Sequence, residues 1–160
     1  MEIKCLSLYQ PWATLIALGL KKYETRGWAT HYRGKIAIHA GKRPMDRDEV
    51  CRLLNLIRFQ PPQEWNGFQR GKIVAIADLT DCLEMHRKGA FLQNACPPQI
   101  CIEHQTDLEI AVGYWEPFRW AWKLENVIAL PEPISASGRQ RLWTPDPELQ
   151  TALEKVICGV

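Results

Sequence analysis

The sequence predicts an α+β fold: a small, mixed, mostly antiparallel β-barrel with two to four flanking helices. Three observations predict it. Short segments with the two-residue alternation of strands are spread along the whole chain. Two or three segments of helical period, each bounded by turn residues, interrupt them. The regular strand-then-helix alternation that builds a parallel sheet is missing. At 160 residues, with no internal repeat, low-complexity tract or linker, the chain reads as one domain spanning 1–160. That length buries a core without covalent staples.

Residues 3 to 9 alternate, with Leu6 and Leu8 on one face and Cys5, Ser7 and Tyr9 on the other, which predicts a half-buried strand. Pro11 suits the first turn of a helix because its missing N–H has no partner there in any case. Trp12, Leu15 and Ile16 share one face of a helix over 11–18, and Gly19 ends it, since glycine takes the left-handed conformation without cost. Strands follow at 22–28 and 34–40. In the second, Ile36, Ile38 and Ala40 face one way, and Lys35 and His39 the other. From Asp46 the period becomes helical, with Val50, Leu53, Leu54 and Ile57 in one stripe and Asp46, Asp48 and Glu49 at the end the helix dipole favours.

Pro61 and Pro62 open a loop, and 72–80 is a buried strand by composition. The stretch 83–112 has little period beyond a helical turn near 86–92 and a turn at Pro97–Pro98. Strand character returns at 118–130, with Phe118, Trp120, Trp122 and Leu124 on one face and Arg119 and Lys123 on the other. A last helix begins at Asp146, an N-cap followed by Pro147, and carries the stripe Leu149, Ala152, Leu153, Val156.

A formal charge of +2 excludes a global field as the means of attracting a polyanion, so any nucleic-acid surface must be a local patch. The six cysteines come without the apolar run of a signal peptide, which predicts a cytoplasmic protein with reduced thiols. No segment is long and apolar enough to span a membrane. Walker and dinucleotide glycine motifs are absent, so no cofactor is implied. Cys96, Cys101 and His104 are spaced at the loose end of the zinc range and lack a clear fourth ligand, so no metal is assigned.

The segment that carries chemistry is Gly19–Arg26, G-L-K-K-Y-E-T-R. Glycine ends a helix, Lys21 emerges just past it, and a strand then presents Glu24 and Arg26 on one face. Backbone geometry alone brings an ammonium, a carboxylate and a guanidinium together. Arg26 can hold a phosphate in a fork. Glu24 can fix the direction of Arg26 or accept from a base edge. Lys21 can act as a point charge or, if desolvated beside Arg26, as a base or nucleophile.

This segment resembles the ASCH-domain signature G-x-K-x-x-E-x-R at Gly19, Lys21, Glu24 and Arg26. The preceding L-S-L-Y-Q-P-W-A is similar to the family's strand-then-helix entry, Y-R-G-K-I-A-I-H-A to its next strand, and the tail S-G-R-Q-R-L-W to its closing segment. The resemblance implies a PUA-like β-barrel that binds RNA or modified nucleotides. One branch of the family removes the acetyl group of N4-acetylcytidine with the signature lysine, a threonine where this chain has Glu24, and a separate glutamate. Glu84, Glu103 and Glu116 are the open alternatives for that last group. The Glu24-bearing pattern is closer to a branch linked to RNA binding or RNA cleavage.

Two functional expectations follow. One is a binding module for RNA, single-stranded nucleic acid or a modified nucleoside, using Lys21, Glu24, Arg26, Tyr9, Gln10, His39 and Lys42. The other is a hydrolase acting on an acylated cytidine nucleoside or on RNA, with Lys21 as base or nucleophile and Glu24 positioning it. Tyr9 and Gln10 enter because they sit at the strand-to-helix junction, His39 because it ends a strand, and Lys42 with Arg43 because they follow Gly41 in a turn. Trp115 and Trp143 lie outside the apolar stripe and are the better candidates among the tryptophans for base stacking, with Arg139 and Arg141 beside the second. Oligomeric state is not readable.

Overall fold

The computed structural model describes residues 1–160. It is an α+β fold, a curled seven-stranded half-barrel with four α-helices, and the PUA-like architecture fits it. The strands are β1 (Ile3–Leu8), β2 (Tyr23–Arg26), β3 (Gly34–Ala40), β4 (Lys72–His86), β5 (Gln99–Cys101), β6 (Trp120–Ser135) and β7 (Leu142–Trp143). The helices are α1 (Trp12–Ala17), α2 (Arg47–Leu56), α3 (Asp107–Ala111) and α4 (Pro147–Cys158). The main sheet runs β2-β6-β4-β3-β1-β7, with β5 beside β4. Only β1–β3 and β4–β5 pair in parallel; the other pairings are antiparallel. No helix is long and apolar enough to cross a membrane.

The helix boundaries follow local chemistry. The Asp46 carboxylate accepts from the N–H groups of Asp48 and Glu49, both at 3.0 Å, and starts α2. Asp146 accepts from Leu149 N–H at 2.8 Å and starts α4. Gly19, at φ +75°, turns the chain out of α1. Its N–H donates to Ile16 O, and the N–H groups of Leu20 and Lys21 both donate to Leu15 O, at 2.9 and 3.1 Å.

Two layers cover the sheet, which corrects the expectation of a half-buried first strand. Leu6 and Leu8 of β1 join Ile36, Ile38, Trp122 and Leu124 under α1, through Ala13 and Ile16. Ile3 and Cys5 of the same strand are equally buried, on the opposite face, against Trp143 and the α4 residues Leu149 and Leu153. A strand covered on both faces loses its polar alternation.

Three other expectations are corrected. The stretch around 83–92 begins as strand and holds no helix: β4 continues to His86, a short turn follows, and the pairing of β4 with β6 shifts register three times. Two of the shifts leave extra residues in β6, and one leaves an extra residue, Thr80, in β4, which breaks the two-residue period there. Phe118 stands outside the stripe of Trp120, Trp122 and Leu124; it sits at φ +67° in the turn before β6 and is 72% exposed. Trp115 and Trp143 are not stacking platforms. Trp115 packs edge-on against Tyr23 and donates to Glu109 O at 2.9 Å, while Trp143 is buried in the α4 layer.

Candidate functional site: a basic cleft at the ends of β1 and β3

β1 and β3 run in parallel and end side by side, where Gly41 N–H donates to Leu8 O at 2.8 Å. Beyond that point their chains part, and a cleft of about 1060 Å³ opens between the exits, α1, β2 and the segment 137–141. This is at the upper end of the size of small-molecule sites.

Lys21 lies in the cleft wall with only 2% of its surface exposed. Its backbone is fixed by the Leu15 carbonyl, and its Nζ donates to Val112 O at 2.8 Å, with Glu24 Oε1 at 3.9 Å and the Trp12 ring centroid at 5.9 Å. Burial pulls its ammonium below the ordinary lysine value of 10.5; Glu24 and Glu109 oppose that, and Arg26 adds to it. Glu24, 6% exposed, accepts from Thr25 N–H at 2.9 Å and from Arg26 Nη2 at 3.3 Å. Arg26 Nη2 also donates to Ser7 O at 3.1 Å, and its Nε is buried with no acceptor. The three signature side chains thus converge on one carboxylate.

His39 forms part of a second, neutral network. Its Nε2 faces Ala136 O at 3.0 Å, and a carbonyl can only accept, so Nε2 carries the proton. Nδ1 then accepts from Ser7 Oγ at 3.0 Å, and Ser7 Oγ accepts from Trp143 Nε1 at 3.2 Å. Burial holds His39 below the usual histidine value of 6.5; the Ala136 carbonyl opposes this and Lys42 adds to it. Gly138 lies over this pair, where an added Cβ would collide with the His39 ring and Ser7 Oγ. The histidine expected as a ligand-facing group therefore ties the 136–141 segment to the sheet as well as lining the cleft.

Tyr9 stands on the rim, 54% exposed, with the Arg43 guanidinium 4.8 Å from its ring centroid. Lys42 lines the cleft beside it. Gln10 does not join them. Its amide is fully engaged, donating to Thr14 Oγ1 and Gln69 O and accepting from Thr14 N–H, so it braces α1 against the loop before β4. Cys101 is buried, Cys96 is exposed, and neither belongs with His104 to a group of side chains able to hold a metal. All six cysteines are free.

Several cleft residues were not foreseen. Trp28 lines it, 5.2 Å from Arg141 and 6.0 Å from Arg26, and could have been found from the strand period, two residues past Arg26. Tyr114 and Arg119 form a further stacked pair at 4.2 Å. Besides Glu24, the carboxylate that bears on Lys21 is Glu109, and not Glu84, Glu103 or Glu116. Glu84 pairs with His86, and Glu103 accepts from Lys88 N–H. Glu109 Oε1 accepts from Lys22 N–H at 2.6 Å, its Oε2 is buried without a partner, and burial raises its pKa. Its only trace in the sequence is the T-x-x-E spacing from Thr106, whose hydroxyl does cap α3.

Six basic side chains line the cleft (Lys21, Arg26, Lys42, Arg119, Arg139 and Arg141) against two acidic ones, Glu24 and Glu49. Only Lys21 and Arg26 are paired with a carboxylate. Elsewhere Arg33, Lys35 and Lys123 each have one. The cleft therefore concentrates positive charge that the chain as a whole does not carry.

Comparison with known proteins agrees with this geometry at the level of family and fold. The family model of the ASCH domain matches residues 6–134. Activating signal cointegrator 1 of Homo sapiens is 28% identical over 155 residues, covering 94% of this chain and 24% of that protein. Its Mus musculus counterpart is 39% identical over 82 residues, covering 49% of this chain and 14% of that protein. The chain thus spans about a quarter or less of these curated relatives. The crystal structure of ASCH from Zymomonas mobilis superposes with a TM-score of 0.54 at 16% identity, covering 97% of this chain and 95% of that one. A serine-to-alanine mutant of the same Zymomonas mobilis protein gives 0.53 at 14%, covering 97% and 96%. At such identities the likeness speaks for the fold alone. With the model matched over most of its length, the chain belongs to the ASCH domain family.

Proposed function

We propose that the cleft binds RNA or a modified nucleotide, gripping phosphate with Arg26 and the rim cations and stacking bases on the rim aromatics. One observation carries this reading. Lys42, Arg119, Arg139 and Arg141 line the cleft with no carboxylate partner, and three arginine–aromatic pairs frame its mouth: Arg43–Tyr9, Arg119–Tyr114 and Arg141–Trp28. An unpaired guanidinium beside an aromatic face offers both a fork for phosphate and a platform for a base. Lys21 supplies positive potential from the wall, and Glu24 sets its direction and that of Arg26.

Four phosphate contacts would release counterions enough to give a slope of roughly −3 in log K against log salt for a single strand. Titration of a short RNA at several salt concentrations tests this. Affinity that stays flat from low to moderate salt would remove the proposal.

A hydrolytic use of the same cleft is favoured by the burial of Lys21, which makes its neutral amine more accessible as a base or nucleophile. On that reading the native protein converts N4-acetylcytidine or RNA to product, and Lys21→Met, which keeps the stem and removes the amine, does not. No product from either substrate with the native protein ends the hydrolytic reading.

A further inference from the structure

Beyond Ser137–Arg139 lies a second recess, of about 550 Å³. Lys42, Ser137, Gly138 and Arg139 line both it and the main cleft. The boundary between the two is fixed. Gly138 is pressed onto His39 and Ser7, where no Cβ fits, and the Ala136 carbonyl is held by His39. The stem of Lys42 lies along this boundary, against Gly71.

The second recess is basic as well. It holds Arg70 and Lys72 in addition to the shared Lys42 and Arg139, against one carboxylate, Asp146. That carboxylate is already the cap of α4. Arg70 donates to Lys42 O at 3.0 Å and Lys72 to Gln69 Oε1 at 3.1 Å, so none of the four cations is neutralised by an acid. A lone nucleoside in the main cleft has no use for charge there. A chain of phosphates does, because successive negative charges must be met at intervals along one path.

We infer that the Arg70–Lys72 recess is a second phosphate subsite, and that the ligand is a single RNA strand of several nucleotides that crosses the Gly138 saddle from one recess to the other. This rests on the nucleic-acid reading of the main cleft and narrows it from nucleoside to strand.

The test compares cytidine 5′-monophosphate with a single-stranded RNA hexamer, on the full chain and on the variant Arg70→Gln/Lys72→Gln. The native chain binds the hexamer at least tenfold more tightly than the mononucleotide. The variant keeps mononucleotide affinity within twofold, which also reports an intact fold, and binds the hexamer about tenfold more weakly. Its salt slope for the hexamer falls by about 1.4, from two lost contacts at roughly 0.7 each. Equal affinity of the native chain for both ligands, or a variant that leaves the hexamer untouched or weakens both ligands alike, overturns the strand path and leaves the cleft. Failure of the native chain to bind either ligand overturns both.

Discussion

Glu24→Leu is expected to lower the stability of the fold by roughly 3–5 kcal/mol, the cost of stripping one partner from a buried ion pair. The carboxylate is the meeting point of the site: the Thr25 N–H, the Arg26 guanidinium and, at longer range, the Lys21 ammonium all address it. Leucine fills a similar volume, so the effect is electrostatic. Lys21 would keep Val112 O but would hold a charge in a wall with almost no access to water. The double variant Glu24→Leu/Lys21→Met removes that stranded charge and should recover part of the loss, as a coupling of about 1–3 kcal/mol between the two positions. Chemical denaturation of Glu24→Leu, Lys21→Met and the double variant measures this. A single variant within about 0.5 kcal/mol of the native protein would mean that Glu24 holds nothing in place.

Arg26→Lys is expected to weaken RNA binding tenfold to a hundredfold while the thermal midpoint moves little. The guanidinium turns Nη2 inward, to Glu24 and the Ser7 carbonyl, which leaves Nη1 for the cleft. A lysine ammonium keeps the charge but has no rigid fork, so it answers either the protein or the ligand with good geometry, not both. Stability should be nearly unchanged, because the substitution also deletes the buried Nε that has no acceptor. A loss in that range corresponds to about 1.4–2.8 kcal/mol of binding energy. Binding within threefold of native would place the phosphate elsewhere on the rim.

The signature residues were legible because their convergence is a local matter. A glycine at φ +75° ends α1, the chain enters β2, and a two-residue period places Glu24 and Arg26 on one side. The caps at Asp46 and Asp146 were legible for the same reason. What failed depended on distant segments. Glu109 reaches the Lys22 N–H from α3, across 87 positions of sequence. Trp143 looked free because α4, which buries it, folds back over a face the alternation of β1 had marked as polar. Gln10 looked like a cleft residue because nothing in its neighbourhood shows that Gln69 will come to accept from it. The strand character of 81–86 was hidden by the extra residue at Thr80 in β4, which only the pairing with β6 reveals.

Only two pairs of strands here run in the same direction, and the β1–β3 pair accounts for the position of the hollow. Antiparallel neighbours can be closed by a tight turn, but parallel neighbours finish together and must send their chains apart. One leaves into α1 and the other toward α2, so a notch is unavoidable at that rim whatever residues fill it. Connectivity sets the location, and side chains set only what the notch accepts. Substitution can thus rewrite its chemistry, from strand grip to bond cleavage or to neither, without moving it.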